Sequence, residues 1–219
     1  MTPPPSVQPQ PAAATTRSCE RTLRLASVDE VPQVARALAD AFIADPVCRW
    51  LLPPGPRFRA RLRIMFTAEL QLYVLRNGGT VWTTSEYDGA LCVLAPGTWQ
   101  MAASFELTEA LRWARAFGMR LARAGRVQQE LHKRHPQAPH FYVRWVGARV
   151  ARQGQGLGTA LLQSVLAEAD LAGLPAYIEA SSERSAALYE RLGFEHTGVL
   201  TLPGGGPTVW PMLRPVVAP

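Results

Sequence analysis

The sequence predicts an α/β domain built on a mixed sheet, and three observations predict it. Segments with strand and helix periodicity alternate through the middle of the chain, which is the pattern of helices laid against a sheet. Antiparallel strand pairs are expected at both ends, one of them closed by the Tyr87-Asp88-Gly89 turn. The chain has 219 residues, 47% of them hydrophobic and 18% charged, enough for one domain with a substantial core.

Taken in order, residues 1–21 contain Pro3, Pro4, Pro5, Pro9 and Pro11 and few large apolar side chains, so they cannot offset their ordering entropy. They are expected to be a disordered tail ahead of a single domain over 22–216. Leu23 and Leu25 alternate with polar neighbours as a short strand. Ser27 and Asp29 then offer caps to a helix whose apolar set is Val31, Val34, Leu38, Ala41 and Phe42. Asp45-Pro46 is expected to break that helix, and Trp50 to Pro56 to follow as an apolar loop. A second helix is predicted from Arg57 to Arg76, ended by Asn77-Gly78-Gly79.

Val81 to Ser85 and Ala90 to Leu94 read as a hairpin, and Thr98 to Arg134 as helical, with Gly118 and Gly125 as breakpoints. After Pro136 and Pro139 comes a strand, Phe141 to Val146, and then a helix from Gly156 to Ala172 that ends at Gly173. Ala176 to Ala180 is a strand, Glu183 to Leu192 a helix stopped by Gly193, and Phe194 to Leu202 and Thr208 to Leu213 the last two strands.

Composition narrows the function classes. No apolar run approaches the length of a membrane span, and the start of the chain lacks the charged and apolar regions of a signal peptide, so a cytoplasmic protein without membrane association is expected. Cys19, Cys48 and Cys92 are odd in number and widely spaced, as suits reduced thiols. His132 and His135 come nearest to a metal pair, but a solvated helix end is the expected setting and no metal is implied. Net charge is +6, yet the arginines are scattered rather than gathered beside stacking aromatics, so no nucleic-acid partner is expected.

The chemistry is concentrated in Arg152-Gln153-Gly154-Gln155-Gly156-Leu157-Gly158-Thr159, between a predicted strand and a predicted helix. Glycines there let backbone N–H groups converge on a ligand, and the helix start adds unpaired donors and the positive end of its dipole, the elements of a phosphate site. The segment lacks the Gly-Lys-Ser/Thr of a nucleotide-triphosphate loop. Its Gly-x-Gly-x-Gly spacing also departs from a dinucleotide fingerprint. Gln153, Gly156 and Gly158 do match Gln/Arg-x-x-Gly-x-Gly/Ala, the pyrophosphate loop of the GNAT superfamily of N-acetyltransferases.

A second motif stands downstream. Ala187-Leu188-Tyr189-Glu190-Arg191-Leu192-Gly193-Phe194 resembles the GNAT helix that carries a tyrosine four residues before Gly-Phe. With Phe141-Tyr142, Val146-Gly147, Glu179-Ala180-Ser181 and Thr208 to Met212, the chain resembles this superfamily from about Leu23 to Arg214, most densely after His140 and most closely in its antibiotic-modifying puromycin N-acetyltransferase group. Ser185 stands where those relatives carry a cofactor-holding asparagine.

The resemblance implies a GNAT fold, with a mixed central sheet of six to seven strands flanked by helices on both faces. It implies acetyl-CoA as cosubstrate and a small primary amine, antibiotic-like in the closest relatives, as acceptor. The diphosphate is expected at Gln153, Gly154, Gln155, Gly156, Leu157, Gly158 and Thr159, and the pantetheine arm against the strand edge of Val146, Gly147 and Ala148, with Ser185 nearby. Tyr189 is the candidate acid for the departing thiolate and Glu179 the candidate base for the amine proton. Glu69 and Tyr73 are alternative acceptor-facing groups, and Trp50 and Trp145 candidate walls. A protein lysine or N-terminal acetyltransferase and a non-catalytic CoA-binding regulator remain as other functions, and the assembly is expected to be a monomer or homodimer.

Overall fold

The computed structural model describes residues 22–100 and 107–216; the expected tail, residues 101–106 of the long predicted helical region and Cys19 lie outside the described residues, while Thr98 to Gln100, expected to begin that region, are not helical. Strands are β1 (Leu23–Leu25), β2 (Thr80–Thr84), β3 (Gly89–Leu94), β4 (Phe141–Ala148), β5 (Ala176–Ala180), β6 (Glu195–His196), β7 (Leu200–Thr201) and β8 (Thr208–Arg214). They form one mixed sheet in the order β1-β2-β3-β4-β5-β8-β6, with β7 also on β8; β4 and β5 are parallel and the other pairs antiparallel.

Helices cover both faces. Val34, Leu38, Leu62, Phe66, Phe117 and Val127 pack on one side, from α1 (Val31–Ala41), α3 (Phe58–Ala68), α4 (Leu107–Phe117) and α5 (Leu121–Arg134). The other side takes Leu157, Leu161 and Val165 of α6 (Leu157–Ala172) and Ala186 of α7 (Glu183–Glu190). Strand alternation sorts β3 between them, with Ala90, Cys92 and Leu94 toward the first layer and Leu91 and Val93 toward the second. Cys48 and Cys92 are buried free thiols.

Four further expectations need correction. Trp50 to Pro56 was expected as a loop, but a short helix, α2, occupies Pro46–Leu51. Proline ends a helix only when a turn precedes it; here Pro46 stands at the first helical position and the Asp45 carboxylate accepts from the Cys48 N–H at 2.8 Å, so the pair starts a helix. The helix predicted to Arg76 is α-helical only to Ala68 and continues as a π-helical stretch, Glu69–Leu75. Of the two expected breakpoints in the long helical region, Gly118 (φ +54°) opens the 3₁₀ turn between α4 and α5, while Gly125 stays inside α5.

The strand predicted from Phe194 to Leu202 is two pieces, β6 and β7. Pro211 lies opposite the gap: its carbonyl accepts from the Thr197 N–H at 2.9 Å, but it has no N–H to return on that edge, so the ladder breaks there.

Candidate active site

The sheet divides at one place. β4 pairs with β5 only at Phe141↔Ala176, Tyr142↔Tyr177 and Val143↔Ile178, while it stays paired with β3 as far as Ala148↔Gly89. Where the strands part, β4 carries one extra residue: Trp145 faces Cys92 and Val143 faces Val93, leaving Arg144 as a bulge. A bulge bends its strand, here at the fork. Beyond the fork lies a cleft of about 720 Å³ between β4, the end of β5, the loop after α1 and the start of α6. Of the predicted site residues, Val146, Gly147, Ala148, Gln153, Gly154, Gly156, Leu157, Gly158, Thr159, Glu179, Ser185 and Tyr189 all line it.

The glycine loop closes one end. Gly154 (φ +75°) and Gly156 (φ +79°) hold left-handed conformations, and a Cβ on Gly156 would meet no atom of the protein. The N–H groups of Leu157, Gly158 and Thr159, in the first turn of α6, have no intrahelical acceptor. Gln153 braces the loop, its Nε2 donating to Ala148 O at 3.2 Å and Ala41 O at 3.5 Å. Gln155 falls outside the lining and donates to Ala151 O at 3.1 Å. Gly147 is needed for close approach, since a Cβ there would come within 2.9 Å of Ala41 and Phe42.

Arg152, Arg184 and Arg191 also line the cleft, Arg152 with its Nε on Asp88 at 3.1 Å, and were missed as site residues, because individual arginines carry no spacing signal. An N-terminal helix dipole, convergent amides and three guanidinium groups suit a diphosphate.

At the fork the chemistry is carried by side chains. Tyr189, 6% exposed, has its phenol pKa raised by burial and then by the nearby Asp45 charge, so it keeps its proton. The Tyr189-to-Phe194 motif has a local cause: Gly193 turns the backbone left-handed (φ +87°), and the Phe194 N–H reaches back to the Tyr189 carbonyl at 3.1 Å. Ser185 lines the cleft, but its hydroxyl accepts from Ser182 N at 3.1 Å and donates to Ser182 O at 2.8 Å, capping α7.

Glu179 Oε2 accepts from the Tyr142 hydroxyl at 2.9 Å, and Arg144 Nη1 donates to the same hydroxyl oxygen at 2.9 Å. Arg144 reaches Glu69 through Nε (3.0 Å) and Nη2 (3.2 Å), and Trp145 Nε1 donates to Glu69 at 2.8 Å. Burial opposes the Arg144 charge, but the adjacent Glu69 carboxylate, together with Tyr142 and Tyr73, outweighs it and holds the guanidinium protonated.

Glu69 is thus committed to an ion pair, and the Tyr73 hydroxyl donates to Trp99 O. Burial pushes the Tyr73 pKa up to about 12. Neither expected alternative is free to serve as base. Trp145 walls the cleft as expected, whereas Trp50 packs under Arg123, 4.5 Å from its ring centroid, away from the lining.

Asp45 was missed as well. Its Oδ2 accepts from the Ser181 hydroxyl, tying the loop after α1 to the end of β5, and burial raises its pKa. The expected solvated helix end at His132 and His135 is corrected in part: His132 is exposed, but His135 is only 5% exposed. His135 precedes Pro136, which forces extended backbone (ψ 134°) and turns the ring off the helix into the core. Among the described residues there is no metal-holding group of three or more His, Cys, Asp or Glu side chains, and no helix is long and apolar enough to cross a membrane.

Comparison with known proteins agrees with this geometry. The Acetyltransferase (GNAT) family matches residues 122–194, from α5 through Phe194. An uncharacterized N-acetyltransferase of Schizosaccharomyces pombe is 24% identical over 175 residues, 74% of this chain and 69% of that protein. Among solved structures, a histone acetyltransferase HPA2 and related acetyltransferase from Corynebacterium glutamicum is 25% identical with a TM-score of 0.66, covering 91% of this chain and 98% of the other. Arylalkylamine N-acetyltransferase 2 from Aedes aegypti shares the fold at 12% identity, with a TM-score of 0.56 and 90% and 99% covered.

Proposed function

We propose that this chain, an N-acetyltransferase of the GNAT fold and family, moves the acetyl group of acetyl-CoA directly onto the primary amine of a small molecule with an apolar or aromatic body. The observation that carries the reading is the fork between β4 and β5, which joins an anion cradle at one end to a carboxylate and a phenol at the other.

The residues fit a CoA ester. The left-handed Gly154 and Gly156 turn the loop into the start of α6, the α6 N-terminus and Arg152, Arg184 and Arg191 would hold the diphosphate, and the free edge of Val146 to Ala148 would pair with the amides of the pantetheine arm. Bound there, the ester supplies an activated acyl carbon with a thiolate as leaving group. Backbone N–H groups of the bulged β4 stabilise negative charge developing on the carbonyl oxygen. Tyr189 donates its proton to the departing sulfur, and Glu179 takes the proton from the attacking amine.

The acceptor end combines Phe42, Val47, Val127, Leu131, Leu202 and Val209 with the carboxylates of Glu179 and Asp45. Apolar walls with a few placed polar groups suit one small amine, of arylalkylamine or antibiotic-like aminonucleoside kind, better than an extended peptide.

Thiol release from acetyl-CoA tests this with tyramine, tryptamine, agmatine, puromycin and lysine peptides as acceptors. Small amines are expected to exceed peptides at least about 100-fold in kcat/KM, a difference of roughly 2.7 kcal/mol. The reverse order would favour a protein acetyltransferase, the reading that the Corynebacterium likeness supports. CoA binding without thiol release from any acceptor would favour a regulator.

A further inference from the structure

Behind Glu179, away from the cleft lining, lies a buried histidine pair. His135 Nδ1 is 3.8 Å from Glu179 Oε1, and His135 Nε2 is 2.9 Å from His140 Nε2. His140 Nδ1 in turn is 2.7 Å from the Ala138 carbonyl. Both rings are fixed: His135 stacks on Trp99 with centroids 3.9 Å apart and meets Tyr142 and Tyr177 edge-on, and His140 is 1% exposed.

Hydrogen-bond arithmetic sets the tautomers. A carbonyl only accepts, so His140 carries its hydrogen on Nδ1. Burial lowers the His140 pKa, which keeps that ring neutral and its Nε2 bare. His135 Nε2 must then be the donor between the rings, and a neutral His135 presents a bare Nδ1 to Glu179. The facing atom, Glu179 Oε1, is buried without a hydrogen-bond partner among the described residues. The Tyr177 hydroxyl, itself buried without another partner, lies beside Glu179, and its interaction with that carboxylate helps raise the Tyr177 pKa after burial. A bare ring nitrogen therefore faces a carboxylate oxygen at 3.8 Å, and a turn of the carboxyl would bring a proton carried on it within reach of that nitrogen.

We propose that Glu179 and His135 act as one proton-accepting unit, in which the proton lost by the acceptor amine enters through the Glu179 carboxyl and comes to rest on His135 Nδ1. The inference rests on the transferase reading above. The amine N–H bond breaks and its electron pair stays on nitrogen, while an O–H bond forms on Glu179. A half-turn of the carboxyl about its last torsion, which is soft, turns that O–H toward His135. The Nδ1 lone pair takes the proton and the carboxylate is restored, leaving an imidazolium that donates to Glu179 on one side and His140 on the other.

The groups around it allow that charge. Glu179 and Tyr177 face His135 from β5 and Tyr142 from β4, His140 lies just ahead of β4, and His132 of α5 also meets the Trp99 ring, centroids 4.9 Å apart. Arg144 is the nearby fixed cation; it is screened by Tyr142 and paired with Glu69. His135 acts through Glu179 and touches no substrate, so it is a positioning residue.

Nitrogen NMR of the histidine rings in the full chain reads the tautomers without any acceptor. The neutral forms are expected to be Nδ1–H for His140 and Nε2–H for His135. A second proton on His135 is expected at Nδ1 facing Glu179, and Glu179→Gln, which removes the carboxylate charge, is expected to abolish that preference. In turnover with the best amine of the panel above, His135→Asn is expected to move the acid limb of kcat/KM down by more than about one pH unit, toward the range of a lone carboxylate, with acetyl-CoA affinity unchanged. A neutral His135 protonated on Nδ1, or an Nδ1 protonation that Glu179→Gln leaves in place, overturns the proposal whether or not His135→Asn folds. If no amine turns over, the transferase reading falls, and the ring tautomers still decide whether the proton-accepting pair exists.

Discussion

At the glycine-loop end of the cleft, Gln153 to Thr159 are consecutive residues shaped by local backbone geometry around a helix start; at the other end, Glu69, Arg144, Tyr142, Glu179 and His135 come from distant parts of the chain and meet through side chains. The first end is held by local geometry, a left-handed glycine and a helix start. The second is held by partners that would each be a buried, unsatisfied charge or dipole if left alone. A site of the first kind tolerates change around it and fails when one backbone conformation is lost. A site of the second kind fails as a unit.

The largest effect should follow from cutting the acceptor end at its centre. Arg144→Met strands the buried Glu69 carboxylate and is expected to cost about 3–5 kcal/mol in denaturant unfolding, while Glu69→Leu combined with Arg144→Met recovers most of the loss. A cost under about 1 kcal/mol for the single change would mean that apolar packing holds the fork. Next comes Tyr189→Phe, which keeps the packing and removes the proton: kcat should fall about 100-fold, near 2.7 kcal/mol of barrier, with acetyl-CoA affinity unchanged in calorimetry.

At the other end, Gly156→Ala meets no steric neighbour, so its cost is conformational, about 1–2 kcal/mol for a side chain at positive φ. Acetyl-CoA binding should weaken about tenfold with the acceptor end intact; equal affinity in both proteins would remove the loop from the cofactor's grip. The smallest effect concerns pH. Burial raises the Asp45 pKa, so the folded chain holds this proton more tightly than the unfolded one, and stability falls as pH rises through the interval between the two values. Asp45→Asn keeps the cap and cannot ionise, so its stability relative to the parent should rise across that interval and then level off; a pH-independent difference in thermal melts would show that the Ser181 and Cys48 contacts fully compensate the buried charge.

Some long-range features left traces in the sequence. Arg144 is a lone charge in the apolar run Phe141 to Val146, and Glu69 a lone charge among Phe66, Leu70 and Tyr73, and each implies a buried partner. Nothing local said that each was the other's. The inward turn of His135 was also readable, since it precedes Pro136. Its role was not, because the Glu179 oxygen it faces is supplied by β5.

The glycine loop, the helix that follows it and the Tyr189-to-Phe194 turn were determined by sequence alone. Their geometry depends on φ angles and on hydrogen bonds spanning only a few residues, which residue type dictates directly. The fork between β4 and β5, the Arg144 bulge, the Glu69 pair and the proton-accepting face of His135 were decided only by tertiary structure. They depend on which strands pair and in what register, and that choice is made by the sum of burial over the whole sheet rather than by any segment within it.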